Sequence, residues 1–304
     1  MSIATTQFHT RVVDCSSDLL TLLELVKDVP TLYLDLEGRC LSRDGTISIL
    51  TLYAASIRIV FIIDIYKMGR SAFSTATSSD TTLKSILESP YVEKVIFDVR
   101  NDSDALFAHF QISLDNVWDL QLMELAARKG SRQFVAGLAK CIEIHSPIST
   151  TEKIEWKQQK ERTGRLFDPT KGGRYEVFED RPFQKHIIEY CVGDVVLLPG
   201  LYDFYNNSLS GPWRERIRAK TLDRIQESQS AAYDPHSDMK ALGPWNESVE
   251  GADGDAWNPL REEEDQDLNI AWYSTSGEED DWYPDTARDC IGWEDDMIQH
   301  GSPF

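Results

Sequence analysis

The sequence contains 304 residues, of which 41% are hydrophobic and 27% charged, an ordinary composition for a globular protein. No apolar run approaches the roughly 18 to 20 residues of a membrane span, and residues 1–11 lack the apolar core of a signal peptide. The five cysteines show neither metal-site nor disulfide-framework spacing. We therefore expect an intracellular protein, in the nucleus or the cytoplasm.

The formal net charge of −20 is unevenly distributed along the chain. Residues 234–304 hold 20 acidic and three basic residues, a net of −17, so the rest of the chain carries only −3. Residues 241–304 combine acidic runs with glycine, proline and five tryptophans, but contain few aliphatic residues. Self-repulsion and the lack of core-forming residues predict a disordered C-terminal tail.

Apolar patterning predicts alternating strands and helices before this tail. In chain order, we predict a helix over 19–26, strands over 31–37, 46–53 and 57–65, a helix over 82–88, a strand over 94–99, a helix over 102–110, a short strand over 116–118, and helices over 119–128, 134–143, 182–205 and 213–233. Three consecutive strands with short links favour an antiparallel meander. The later alternation of strand and helix predicts a mixed sheet in an α/β domain.

Two acids end the first apolar strand of this meander. Asp35 and Glu37 are two residues apart, so both project from one face of the strand, while Leu34 and Leu36 project from the other. Like charges held this close repel, and a bound cation is the simplest way to keep both ionised. Taken alone, such a pair is more often two solvated carboxylates at a strand end.

Two further segments supply acids. In the helix over 182–205, Tyr190 and Asp194 lie one turn apart beside an apolar stripe. After the strand over 94–99, the sequence offers Asp98, expected within the strand, and then Asp102 and Asp104. Asp102 begins the predicted helix over 102–110, where an acid also serves as a cap.

The combined pattern resembles the DEDD superfamily of 3′–5′ exonucleases, in the tyrosine-bearing branch that includes ribonuclease D, the Werner exonuclease domain and egalitarian-like proteins. The residues that carry the resemblance are Asp35, Glu37, Asp102, Tyr190 and Asp194. It covers about residues 12–209, and the segments 94–100, 117–121 and 190–198 also resemble the family. It implies a ribonuclease H-like mixed sheet, with three antiparallel strands followed by two parallel ones and helices on its faces.

The second motif has two candidate acids. In ribonuclease D-like proteins this acid lies five residues after the end of the strand and seventeen before an Asp-x-Gln helix start. Counting from Phe97 and from Asp119 gives Asp102 in both cases, and Asp104 is the alternative.

The resemblance implies a two-metal-ion exonuclease that releases nucleoside 5′-monophosphates from a 3′ end. Two Mg²⁺ or Mn²⁺ ions would be held by the four carboxylates of Asp35, Glu37, Asp102 and Asp194, since hard cations prefer oxygen ligands. Tyr190 would orient the attacking water by a hydrogen bond. A catalytically inactive RNA-binding scaffold on the same fold, and an inert adaptor that recruits partners through its tail, are the alternatives.

The expected partner is the 3′ end of single-stranded RNA or DNA. The basic, aromatic-containing segment 153–185 precedes the third motif and is our candidate strand-binding surface, with Arg165, Lys171 and Arg174 as contacts. A solvated loop is the alternative. Residues 210–240 form a basic helical extension. The tail over 241–304 is either a solubilising linker, a protein-binding segment or an autoinhibitory segment that competes with nucleic acid.

Overall fold

The computed structural model describes residues 8–245, and its centre is a six-stranded mixed sheet. The strands are β1 (His9–Val13), β2 (Thr31–Glu37), β3 (Ile49–Ala54), β4 (Ile59–Asp64), β5 (Glu93–Ile96) and β6 (Val117–Asp119). Their order across the sheet is β1-β4-β3-β2-β5-β6. Strand β3 runs antiparallel to both β2 and β4, whereas β5 is parallel to β2 and β6 is parallel to β5. This confirms the predicted fold class.

Strand β1 was not predicted. It pairs in parallel with β4 at the edge of the sheet. Four of its five residues are exposed, and only Val13 is buried. Because the strand lacks the apolar alternation of a half-buried strand, nothing in its sequence marks it as part of the sheet.

Eleven α-helices lie within residues 8–245. They are α1 (Ser16–Val26), α2 (Ile65–Met68), α3 (Ser71–Ser74), α4 (Leu83–Leu87), α5 (Val99–Phe110), α6 (Leu120–Ala127), α7 (Leu138–His145), α8 (Thr150–Phe167), α9 (Lys185–Val196), α10 (Leu198–Ser208) and α11 (Gly211–Gln229). None of the helices in this range is long and apolar enough to cross a bilayer.

The sheet separates two hydrophobic cores. One face packs against residues of α1, α3, α4 and α5, and the other against residues of α6 to α10. Leu34 and Leu36 of β2 belong to the first core, as the alternation along the strand predicts. Tyr33 belongs to the second core, so Asp35 and Glu37 project on the side of α9.

The long helix predicted over 182–205 is two helices. Helix α9 begins at Lys185, and α10 begins at Leu198 with Pro199 in its first turn. Proline has no N–H for the hydrogen-bond ladder of a continuous helix, but it is tolerated in a first turn. The break at Leu197 therefore follows from the sequence, and the single-helix prediction was wrong.

The basic segment 153–185, for which no helix was predicted, contains most of a long helix, α8. Ser149 and Glu152 form a reciprocal capping box at the start of α8, in which the Ser149 N–H donates to Glu152 Oε2 at 2.9 Å. Trp156, Gln159, Thr163 and Phe167 then form its buried face. This spacing of three to four residues is typical of an amphipathic helix, and it positions α8 against α9.

The strand predicted over 94–99 ends early. Strand β5 stops at Ile96, and Asp98 is the N-cap of α5 with a left-handed backbone (φ 58°). Helix α5 begins at Val99, so Asp102 lies in its fourth position instead of beginning it. The expectation that Asp98 lies within the strand was wrong.

Residues 241–245 pack on the body of the protein. The Val135 N–H donates to the Ala241 carbonyl at 3.0 Å, and the Gly243 N–H donates to the Gln133 carbonyl at 2.7 Å. The Trp245 and Trp213 rings meet edge to face at 5.2 Å. The remainder of the predicted acidic tail, 246–304, lies outside the described residues.

Candidate active site

Three predicted acids meet where α9 crosses the end of β2. The apolar stripe of α9, with Ile187, Cys191 and Val195 fully buried, packs on the sheet. This packing directs Asp194 toward the face from which Asp35 and Glu37 project. Carboxylate oxygens of Asp35, Glu37 and Asp194 lie within 4.8 Å of one another.

Asp102 of α5 lies outside the group within 4.8 Å, but it is close enough to act electrostatically on the other acids. Its side chain is buried, and its charge contributes to raising the pKa of Glu37, as the charge of Asp35 does for Asp102. The alternative, Asp104, is occupied elsewhere, because Arg43 donates to its carboxylate from the side chain at 2.6 Å and from the backbone N–H at 2.7 Å. The geometry therefore favours Asp102 as the fourth acid.

Burial and mutual repulsion disfavour ionisation of this carboxylate cluster, which consists of Asp35, Glu37, Asp102 and Asp194. Burial and the Asp194 carboxylate raise the pKa of Asp35 to about 8. Burial and the charge of Asp35 hold the pKa values of Glu37 and Asp102 well above their usual range. Among residues 8–245, Asp35 Oδ2 finds no hydrogen-bond partner although the atom is buried. The cluster therefore has too little positive charge around it to keep all four carboxylates ionised.

Tyr190 lies one turn before Asp194 and is buried beside the Phe167 and Phe178 rings, at centroid distances of 5.3 and 6.5 Å. Burial raises the pKa of Asp194, and the Lys160 ammonium and the Tyr190 hydroxyl beside it offset part of that rise. Burial and the Glu37 charge hold the pKa of the phenol well above its ordinary value. Tyr190 therefore remains neutral and acts as a hydrogen-bond donor.

Lys160 is a further member of the site that was not predicted from the sequence. Its ammonium donates to Asp194 Oδ1 at 2.9 Å, to Asp194 Oδ2 at 2.8 Å and to the Tyr190 hydroxyl at 3.2 Å. Burial opposes its charge, but the nearby carboxylates outweigh burial and raise the pKa of Lys160. The signal in the sequence was its position four residues after the buried Trp156, which indicates a helix face pointing toward the core.

The three predicted substrate contacts lie on and after α8. Arg165 is exposed. Lys171 forms an ion pair with Asp168 at 2.7 Å, and Arg174 forms one with Asp180 at 2.5 Å. Two of the three cations are thus partly neutralised by acids of their own segment, and their contact with a nucleic acid stays a prediction.

The Gly172–Gly173 pair forms a tight turn and does not act as a flexible link. Gly172 has a φ of +86°, which favours glycine. A Cβ at position 173 would lie 2.6 Å from the carbonyl carbon of Leu166, closer than real side chains approach. The Arg174 N–H also donates to the Leu166 carbonyl at 2.9 Å. The turn therefore fixes residues 172–174 against the end of α8.

A second acidic cluster adjoins the first and is fully paired. Arg100 donates to both oxygens of Asp98, at 2.6 and 2.7 Å. Arg224 of α11 donates to Asp119 at 2.6 Å, and Asp119 also accepts from the backbone N–H groups of Asp98 and Val99. These ion pairs attach α11 to the start of α5.

Comparison with known proteins agrees with this geometry. The model of the 3′–5′ exonuclease family matches residues 10–210, about two thirds of the chain. A search of curated protein sequences gives no match.

Solved structures share the fold. Ribonuclease D of Trypanosoma brucei is similar at a TM-score of 0.61 and 20% identity, with 78% of this chain and 79% of that chain covered. Its complex with RNA U12 gives a TM-score of 0.58 at 18% identity, covering 74% and 72%. The catalytic core of Trypanosoma brucei RRP6 gives 0.51 at 19%, covering 75% of this chain and 52% of that chain. The chain therefore belongs to the 3′–5′ exonuclease family, as a hydrolase of the DEDD superfamily that is similar to ribonuclease D.

Proposed function

We propose that this protein is a divalent-metal-dependent exonuclease that removes nucleoside 5′-monophosphates from the 3′ end of single-stranded nucleic acid. The observation that carries the proposal is the convergence of the Asp35, Glu37 and Asp194 carboxylates within 4.8 Å. Acids from β2 and α9 meet there, with Asp102 of α5 close by, although the three elements are far apart in the sequence.

The residues present fit Mg²⁺ or Mn²⁺. All four candidate ligands are carboxylates, and oxygen donors are what these cations prefer. Support comes from the buried Asp35 Oδ2 atom, which finds no partner among the described residues, and from the raised pKa values of Asp35 and Glu37, since a nearby cation would favour their ionised forms. Divalent ions held by Asp35, Glu37, Asp102 and Asp194 would activate water and stabilise the leaving oxygen when they are bound.

The chain's own residues supply the remaining requirements. Tyr190 remains protonated, so its hydroxyl can orient a water molecule without acting as a base. Phe167 and Phe178 pack against the Tyr190 ring, and these contacts restrict its orientation. Arg165, Lys171 and Arg174 lie on the segment before α9 and offer charge to the backbone of an incoming strand.

RNA is the substrate we expect first. The support is the structural similarity to ribonuclease D, one structure of which is a complex with RNA U12. Because contacts to the 2′-hydroxyl are what distinguish RNA from DNA, DNA is tested beside RNA.

The test is digestion of 5′-labelled single-stranded RNA and DNA with Mg²⁺, with Mn²⁺ and with a chelator. We expect a ladder shortened from the 3′ end and nucleoside 5′-monophosphate as the product, with no digestion in the chelator or by Asp35→Asn. Oligonucleotides with a 3′-phosphate serve as the blocked-end control. Tight binding without digestion would instead support the scaffold, and neither binding nor digestion would support the adaptor.

A further inference from the structure

Lys160 places a positive charge inside the candidate metal site. Its ammonium lies within 3 Å of both Asp194 oxygens. Within residues 8–245, no other basic side chain donates a hydrogen bond to the carboxylate cluster. One ammonium therefore donates hydrogen bonds to a cluster that can carry up to four negative charges.

The ammonium uses the same oxygens that a metal ion would require. Because the ammonium donates to both oxygens of Asp194, each of these oxygens already contacts a positive charge. A divalent ion bonded to Asp194 would be brought close to the ammonium, and two like charges at that distance repel. Asp194 therefore cannot bind the Lys160 ammonium and a divalent ion through both of its oxygens at once.

The surroundings of Lys160 give the ammonium an alternative position. The Lys160 side chain is 27% exposed, so it has a route to solvent. Its ammonium lies 4.3 Å from the Tyr190 ring centroid and 5.5 Å from the Trp156 ring centroid. Aromatic faces attract cations, so the lysine can leave Asp194 and still keep favourable contacts.

We propose that Lys160 is a resident cation that holds Asp194 in the metal-free protein and competes with a divalent ion for that carboxylate. The inference rests on the proposed function, since it requires the carboxylate cluster to bind metal. It makes Lys160 a positioning residue: it keeps Asp194 oriented before the metal arrives, and it sets how much metal is needed to load the site.

Calorimetric titration with Mn²⁺ tests the competition directly. We expect Lys160→Met to bind Mn²⁺ at least tenfold more tightly than the wild type, because the competing charge is gone. Lys160→Arg keeps the charge and should stay within about threefold of the wild type. The matched control is Lys157→Met, an exposed lysine one turn earlier on α8, which should leave Mn²⁺ affinity unchanged.

Each result has a separate meaning. Folded Lys160→Met that binds Mn²⁺ no more tightly than the wild type would overturn the competition and leave the proposed function standing. No Mn²⁺ binding by any of the proteins, wild type included, would overturn the metal site itself and this inference with it.

A measurement on the wild-type protein tests the proposal even if Lys160→Met does not fold. Amine acetylation followed by site-resolved mass spectrometry reports how accessible each lysine is. The reactivity of Lys160 should be low in chelator and rise several-fold in saturating Mn²⁺, whereas that of Lys157 should not change. Equal Lys160 reactivity in both conditions would show that the ammonium never leaves Asp194, contrary to the proposal.

Discussion

Two acidic clusters lie side by side at the start of α5, and they have opposite electrostatic properties. Asp98 and Asp102 are one helical turn apart, and both are largely buried. The pKa of Asp98 is lowered, because Arg100 and Arg224 outweigh the effect of burial. The pKa of Asp102 is raised by burial and by the charge of Asp35.

The difference lies in the number of positive charges that the protein supplies. Arg100 and Arg224 match Asp98 and Asp119 one to one. The carboxylate cluster receives direct hydrogen bonds from Lys160 alone among the described basic residues. The fully paired cluster holds α11 against α5, whereas the carboxylate cluster has more acids than basic partners, as we expect of a cation-binding site.

The largest expected effect is a loss of nuclease activity when the carboxylate cluster is changed. Asp35→Asn removes a carboxylate from the proposed metal site, so we expect nuclease activity to fall roughly thousandfold or more while the metal-free protein stays folded. Rates on a labelled oligonucleotide and circular dichroism measure the two quantities. An active Asp35→Asn protein would contradict the assignment.

The complementary change affects stability. Asp98→Asn leaves Arg100 and Arg224 without a full partner in a buried site, which should lower the free energy of unfolding by about 3–5 kcal/mol. Urea denaturation measures it, with exposed Asp14→Asn as the control. A loss below about 1 kcal/mol would show that the paired cluster is not structural.

Tyr190→Phe should have the next largest effect. The ring stays in its aromatic contacts, but the hydroxyl that bonds Asp194 is lost. We expect a fall in kcat of roughly a hundredfold from misplaced water, with KM little changed. Steady-state kinetics checks this, and a large KM effect with constant kcat would indicate a role in binding instead.

The carboxylate cluster also predicts a pH dependence for the metal-free protein. In the folded protein the pKa of Asp35 is raised to about 8, so Asp35 keeps a proton that the unfolded chain loses near pH 4. The pKa values of Glu37, Asp102 and Asp194 are raised as well. Stability should therefore be greatest below about pH 4 for these groups and fall as the pH rises toward 8, by up to about 1.4 kcal/mol per pH unit for each proton retained.

Chemical denaturation in chelator across this pH range measures the slope. Asp35→Asn and saturating Mg²⁺ should each reduce it, since one removes a titrating group and the other supplies charge. A metal-free stability that increases between pH 5 and pH 8 would contradict the electrostatic difference between the two clusters.

The smallest expected effect concerns the strand-binding segment. Lys171→Ala with Arg174→Ala should weaken oligonucleotide binding and flatten its salt dependence. Two full phosphate contacts would change the slope of log K against log salt concentration by about 1.4. We expect a smaller change, because both cations are paired with acids of the protein. Anisotropy in the Asp35→Asn background measures it, with Lys27→Ala plus Lys67→Ala as the control. An unchanged slope would remove these residues from the interface.

The acids could be predicted from the sequence because local periodicity determines their directions. Alternation along β2 places Asp35 and Glu37 on one face, and the helical repeat places Tyr190 and Asp194 on one side of α9. Lys160 could not be placed in the same way, since its position depends on how α8 packs against α9. Strand β1 was not predicted because an exposed edge strand shows no apolar alternation.

Crystallography of the protein soaked in Mn²⁺, with anomalous scattering to locate the ions, tests the central claim most directly. The account predicts Mn²⁺ bonded to the Asp35 carboxylate, with Glu37, Asp102 and Asp194 directed toward the bound ions and Lys160 displaced from Asp194. Anomalous density absent from these carboxylates at saturating Mn²⁺ would contradict it.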